Sequence, residues 1–98
     1  MIQSFRDHTA ADLFRELNTS SARRIPRDLW RSVQRKLKLL DVAARLEDLS
    51  IPAGNRLERL KGDRAGRYSI RINDQWRLCF EWPEGATGPS NLEIVDYH

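Results

Sequence analysis

Three neighbouring residues, Asp96, Tyr97 and His98, set a carboxylate, a phenol and an imidazole side by side, downstream of arginines at alternate positions. Cutting RNA without a metal needs three things. A base takes the proton of a 2′-hydroxyl, cations stabilise charge on the phosphoryl oxygens, and an acid protonates the leaving 5′-oxygen. The 2′-hydroxyl is also what separates RNA from DNA as a substrate. Asp96 and His98 are the titratable candidates for proton transfer, Tyr97 can align or stack on a base, and Arg71 and Arg77 offer fixed charge. Arginine suits phosphate because its fork donates two hydrogen bonds and keeps its proton. On a strand, Asp96 and His98 fall on one side and Tyr97 on the other. As a bare tripeptide the motif is not specific.

These residues need a sheet to hold them. Arg67 to Ile72 alternates, with Tyr68, Ile70 and Ile72 on one face and Arg67, Ser69 and Arg71 on the other. Gln75 to Trp82 alternates again: Trp76, Leu78, Phe80 and Trp82 point one way, and Gln75, Arg77, Cys79 and Glu81 the other. Asn73-Asp74 suits the turn between them, since both residues tolerate left-handed backbone. The reading is an antiparallel pair with an apolar inner face and a basic outer face carrying Arg67, Arg71 and Arg77. Leu57 to Leu60 frames a short strand before the pair, and Asn91 to Tyr97 a last strand after it. Lys61–Gly66 is a turn first and a phosphate contact second; its glycines match neither a P-loop nor a dinucleotide fingerprint.

The first half reads as a helical cover. Thr9, with Asp12 three residues on, fits a helix N-cap, and Ala10 to Leu17 follow as a short helix. A longer helix spans about Pro26 to Ala44, where Leu29, Val33, Leu37, Leu40 and Ala44 make an apolar stripe. Arg27, Arg31, Arg35 and Lys38 lie on its wet side, and Trp30 reads as a core or partner-contact residue. Ile2 to Phe5 is either a short strand or an apolar anchor. Pro52–Asn55 is a turn cluster where helical spacing gives way to strand spacing.

Charge is uneven. Residues 21–45 hold eight Lys/Arg and residues 56–77 hold seven, whereas residues 78–98 hold none and carry Glu81, Glu84, Glu93 and Asp96. Such clustering suits a polyanionic partner; a solvated charged surface is the bland alternative. The 98 residues, 40% hydrophobic and 32% charged, are expected to form one domain, 1–98. The lone Cys79 permits no internal disulfide and no zinc site. With no long apolar run and no cleavable leader pattern, a cytoplasmic protein with no cofactor, metal or membrane segment is expected.

The run GNRLERLKGDRAGRYSIRINDQWRLCFEW with terminal EIVDYH resembles the HigB branch of the RelE/ParE toxin superfamily, and in particular the plasmid-maintenance killer proteins and GraT toxins. LKGDRAG, INDQWR and EIVDYH together are specific where each alone is not, and the likeness covers essentially the whole chain. It implies an α+β fold, with two N-terminal helices packed on a small twisted antiparallel sheet. It implies the toxin of a type II toxin–antitoxin pair that cuts mRNA in the ribosomal A site. It also implies a helix-turn-helix antitoxin of the HigA/GraA kind, whose complex with the toxin represses its own operon. By position, Asp96, Tyr97 and His98 match the family's C-terminal functional motif. Lys61 and Arg77 match basic positions that contact RNA or ribosome, and Arg64, Arg67 and Arg71 extend that phosphate-contact set. Glu58 departs from the pattern, because several HigB proteins carry histidine there, whereas the GraT-like GNRLE shares the glutamate. The same fold also hosts gyrase poisons of the ParE branch. A non-cutting gyrase toxin, or a basic ribosome-binding module with weak cleavage, is therefore the alternative reading.

Overall fold

The computed structural model describes residues 1–51 and 53–97, so Pro52 of the expected turn cluster and His98 of the terminal motif lie outside the described residues. Two α-helices, α1 (His8–Phe14) and α2 (Trp30–Val42), precede four strands: β1 (Glu58–Arg59), β2 (Arg67–Arg71), β3 (Trp76–Glu81) and β4 (Ser90–Asp96). The strands form one sheet in chain order, each antiparallel to the next. This is the α+β arrangement of two helices and a small antiparallel sheet expected from the sequence.

The periodicity is realised in the core. Leu13 of α1 joins Val33, Leu37 and Leu40 of α2, and Ile70, Leu78, Phe80, Leu92 and Ile94 of the sheet, in one buried cluster. Burying each such side chain contributes about 1.5–3 kcal/mol, which is what holds helices and sheet together. The paired alternation in β2 and β3 fixes register: Tyr68 opposes Phe80, Ile70 opposes Leu78, and Arg71 opposes Arg77. The Asn73 carboxamide oxygen accepts from the amides of Gln75 and Trp76 and so closes the β2–β3 turn.

Several boundaries differ from expectation. The N-cap of α1 is Asp7, not Thr9: its carboxylate accepts from the Ala10 amide at 2.9 Å. Thr9 is buried inside the helix and its hydroxyl donates to the Ser21 carbonyl. Asp12 accepts instead from the Thr19 hydroxyl. The helix stops at Phe14 because Glu16 turns left-handed, at φ 59°, leaving Leu17 exposed. Residues Arg27–Leu29 form a 3₁₀ turn leading into α2. At the far end the backbone extends at Ala43, so Ala43 is buried in place of the expected Ala44.

Trp30 belongs to the core. Its indole N–H donates to the Ile25 carbonyl at 2.8 Å, and Arg27 lies over its ring at 4.4 Å. The Ile2–Phe5 segment runs beside β4, joined to it by a parallel bridge from Phe5 to Leu92 and by the Leu92 amide donating to the Ser4 carbonyl. Asn91, at φ 52°, sits where the β3–β4 register slips between Cys79 and Glu81. Its amide is held by the Ser4 hydroxyl, and its side chain donates to Glu81.

Candidate functional site

Arg77 is the centre of the site. It lies in the middle of the sheet, between Arg71 of β2 and Val95 of β4, and only 8% of its surface is exposed. The sequence placed it on an open basic face; the structure sinks it into that face. Its Nε donates to the buried Ser69 hydroxyl at 2.8 Å, and its Nη2 donates to the Arg56 carbonyl at 2.7 Å. Arg56 takes a left-handed φ of 46°, a costly conformation for a residue with a side chain. The Glu58 carboxylate, half exposed on β1, stands 3.7 Å from the same Nη2.

Tyr97 covers this arginine. Its ring centroid is 5.7 Å from the Arg77 guanidinium carbon and 5.9 Å from that of Arg64, both within cation–π range. Arg64 Nη1 also donates to the Tyr97 hydroxyl at 3.4 Å. Arg64 reaches the tyrosine from the β1–β2 connection, where Gly62–Arg64 forms a 3₁₀ turn. Gly66, at φ 89°, closes that connection in a backbone conformation that a side chain would strain. The Tyr97 amide is anchored to the Gln75 carbonyl, so the strand pairing carries past Asp96. Lys61, at the head of the same turn, is exposed.

Asp96 takes the opposite direction in the pleat. It pairs with Trp76 across β3–β4 and accepts from the Gln75 side chain at 3.2 Å. It still lines a shallow hollow with Arg64, Val95 and Tyr97 at the sheet's edge. The divergence of Asp96 and Tyr97 is the one that strand geometry predicts. His98 lies outside the described residues.

Arg67 and Arg71 are held by carboxylates. Arg67 Nη1 meets Glu93 at 2.6 Å and its Nη2 donates to the Asn91 carbonyl. Arg71 meets Asp74 at 2.5 Å. Three contributors had no assigned part in the sequence reading. Ser69 shared a face with the arginines by alternation, but its bond to Arg77 depends on how β2 meets β3. The Arg56 carbonyl has no sequence signal at all. Lys36 of α2 is bonded to the buried Asn55 carboxamide; burial, then Arg35 and Arg71, pushes its ammonium pKa down.

The arrangement is a fixed guanidinium roofed by an aromatic ring, with a second mobile-length cation and a carboxylate at its rim. It can grip a phosphodiester, stack a base and accept a proton.

Comparisons with known proteins agree along the length of the chain. A family model described as the RelE-like toxin of type II toxin–antitoxin system HigB matches residues 3–98. Toxin HigB-1 of Vibrio cholerae is 48% identical over 75 residues, covering 76% of this chain and 79% of that protein. Endoribonuclease HigB of Proteus vulgaris is 32% identical over 98 residues and the full length of both chains. Among solved structures, a YoeB–YefM complex from Staphylococcus aureus is similar in fold. Its TM-score is 0.60 at 17% identity, over 100% of this chain and 98% of that one. A YoeB/ParE toxin from Agrobacterium tumefaciens aligns with a TM-score of 0.56 at 16% identity over 98% of each chain.

Proposed function

The chain belongs to the HigB-like family of RelE-type toxins, and on that premise we propose how its residues divide the work of cutting messenger RNA. The protein is the toxin of a type II toxin–antitoxin pair and an endoribonuclease that inhibits translation; its partner is an antitoxin. The observation that carries this reading is the full-length match to a named endoribonuclease. A gyrase-poisoning role has no comparable support.

Arg77 holds the scissile phosphate and stabilises the charge that builds on its oxygens in the transition state. Tyr97 stacks on a base beside the cut and keeps water away from Arg77. Glu58 takes the 2′-hydroxyl proton. The reading is supported by its carboxylate lying next to Arg77, whereas Asp96 points to the Trp76 side of β4. His98 supplies the proton to the leaving 5′-oxygen, and Asp96 helps to hold the end of β4 through the Gln75 side chain. Arg64 and Lys61 form the outer phosphate contacts. Arg67 and Arg71, each tied to a carboxylate, brace the sheet around the site more than they contact phosphate. One domain, 1–98, carries the whole activity.

The substrate is mRNA on the ribosome, whose RNA completes a site this shallow, and the working compartment is therefore the cytoplasm. The antitoxin is a helix-turn-helix protein. The test is induction of wild-type toxin and of His98→Ala, followed by primer extension on an abundant message. Discrete cuts that depend on translation and disappear with His98→Ala are expected. Intact message with DNA damage would overturn the reading.

A further inference from the structure

The Arg77 side chain enters the site through the sheet, and what fixes its angle is a neutral hydroxyl. We propose that Ser69 is a positioning residue for the cleavage reaction: its hydroxyl, with the Arg56 carbonyl, locks the Arg77 guanidinium in the orientation that meets the phosphate. This inference rests on the reading of Arg77 as the phosphate-binding residue.

Arginine carries five N–H donors in a rigid plane, so two bonds at different nitrogens determine where the others point. Ser69 takes Nε and the Arg56 carbonyl takes Nη2. Among the described residues Nη1 makes no hydrogen bond, and it is the terminal nitrogen left for substrate. Ser69 is fully buried, so water cannot replace its hydroxyl in the intact fold. Its position is set by two strand pairings at once, Glu58 on one side and Cys79 on the other.

The second acceptor is equally deliberate. Arg56 adopts a strained left-handed backbone, and its carbonyl is thereby turned onto Nη2. Both acceptors are uncharged. They orient the guanidinium without cancelling its charge, which a buried carboxylate in the same place would do. A site that must receive a phosphate needs that combination.

The experiment compares Ser69→Ala, Ser69→Thr, Arg77→Lys and Ser69→Ala/Arg77→Lys with wild type. Single-turnover cleavage of a reporter mRNA in a translating extract is followed at rising toxin concentration, and thermal melts are recorded for each protein. Ser69→Ala is expected to lower the maximal cleavage rate about tenfold, the usual cost of losing one hydrogen bond to a charged group. The half-saturating concentration should stay unchanged. Ser69→Thr, which keeps the hydroxyl, restores the rate. In the Arg77→Lys background, which has no Nε–H at that point, Ser69→Ala adds less than twofold.

A purely structural serine would lower the melting temperature and leave the rate of the folded protein alone, and that pattern overturns the proposal. So does independent multiplication of the two losses. Full activity of Arg77→Lys, and of Arg77→Ala made alongside it, would instead sink the reading of Arg77 itself, and the proposal with it. That outcome is distinct from one in which only the Ser69 variants are silent.

Discussion

Glu58→Gln separates the chemistry of the rim carboxylate from its contribution to folding. Glu58 lies 3.7 Å from Arg77 Nη2, with 54% of its side chain exposed and 10% of the arginine's. Two unit charges about 4 Å apart attract by ~1 kcal/mol in water, and solvent-exposed pairs contribute ~1 kcal/mol or less once screening and entropy are counted. Glutamine keeps the shape and can still accept a hydrogen bond. The stability loss should therefore be below ~1 kcal/mol, or a fall in melting temperature of at most about 4–8 °C for a domain of this size. Removing a negative charge beside Arg77 leaves RNA binding equal or tighter. Removing a general base costs about 10²–10⁴ in rate. The expected protein is folded, binds at least as well as wild type and cleaves at least ~100-fold more slowly. The assay is single-turnover cleavage in a translating extract beside a filter-binding titration. Cleavage within threefold of wild type refutes Glu58 as the base and returns that part to Asp96 or His98.

Other outcomes follow from the same geometry. Tyr97→Phe keeps the ring over Arg77 but loses the hydroxyl that Arg64 reaches, so it should retain most activity where Tyr97→Ala loses ~10-fold or more, as read by cleavage rate. Leu37→Ala, at a fully buried position of α2, should cost about 2–5 kcal/mol in a urea melt. Asp7→Ala removes the α1 cap and should cost ~1 kcal/mol by the same measurement. Burial pushes the Cys79 thiol pKa up, against the pull of Arg67, Arg64 and Arg77. The unfolded thiol ionises first, at about pH 8.5, so its contribution to stability is complete below that pH and is lost as pH rises beyond it. Denaturant melts between pH 7 and 10 should therefore show a shallower alkaline loss in Cys79→Ala than in wild type.

Much of the sheet was legible because alternation in β2 and β3 leaves one register that buries Ile70, Leu78 and Phe80 together. Helix ends were less legible. Asp7 and Thr9 are both good caps by type, and the choice went to Asp7 because its other carboxylate oxygen also reaches the Ile94 amide, a contact 87 residues away in sequence. Asn55 read as a turn residue, yet it is fully buried, donating to the Leu49 carbonyl and accepting from Lys36. Turn chemistry and internal bracing use the same carboxamide, and only the fold distinguishes them. The divergence of Asp96 from Tyr97 was readable from strand periodicity alone. The sinking of Arg77 into its face was not, because it depends on a β2 hydroxyl and on a carbonyl upstream of β1.

The distribution of acids is what sorts the arginines. An arginine held within the sheet needs acceptors for its donors, and there are two kinds. Arg67 and Arg71 are met by Glu93 and Asp74 at 2.6 and 2.5 Å, which offsets their charge, while Arg67 Nε stays buried without a partner among the described residues. Arg77, the most enclosed of the three, is met by a hydroxyl and a carbonyl, with its nearest carboxylate held off at 3.7 Å. Enclosure in a medium of lower dielectric strengthens the field of an uncancelled charge. The sheet therefore keeps Arg77 free of a close carboxylate where Tyr97 and Arg64 converge, and uses Arg67 and Arg71 to brace β4 and the β2–β3 turn. The alternating basic run looks uniform in the sequence, but its members differ by the chemistry of what accepts their hydrogen bonds. That difference is why Arg77 rather than Arg67 or Arg71 is the position where even lysine, with the same charge and no fork, should fail.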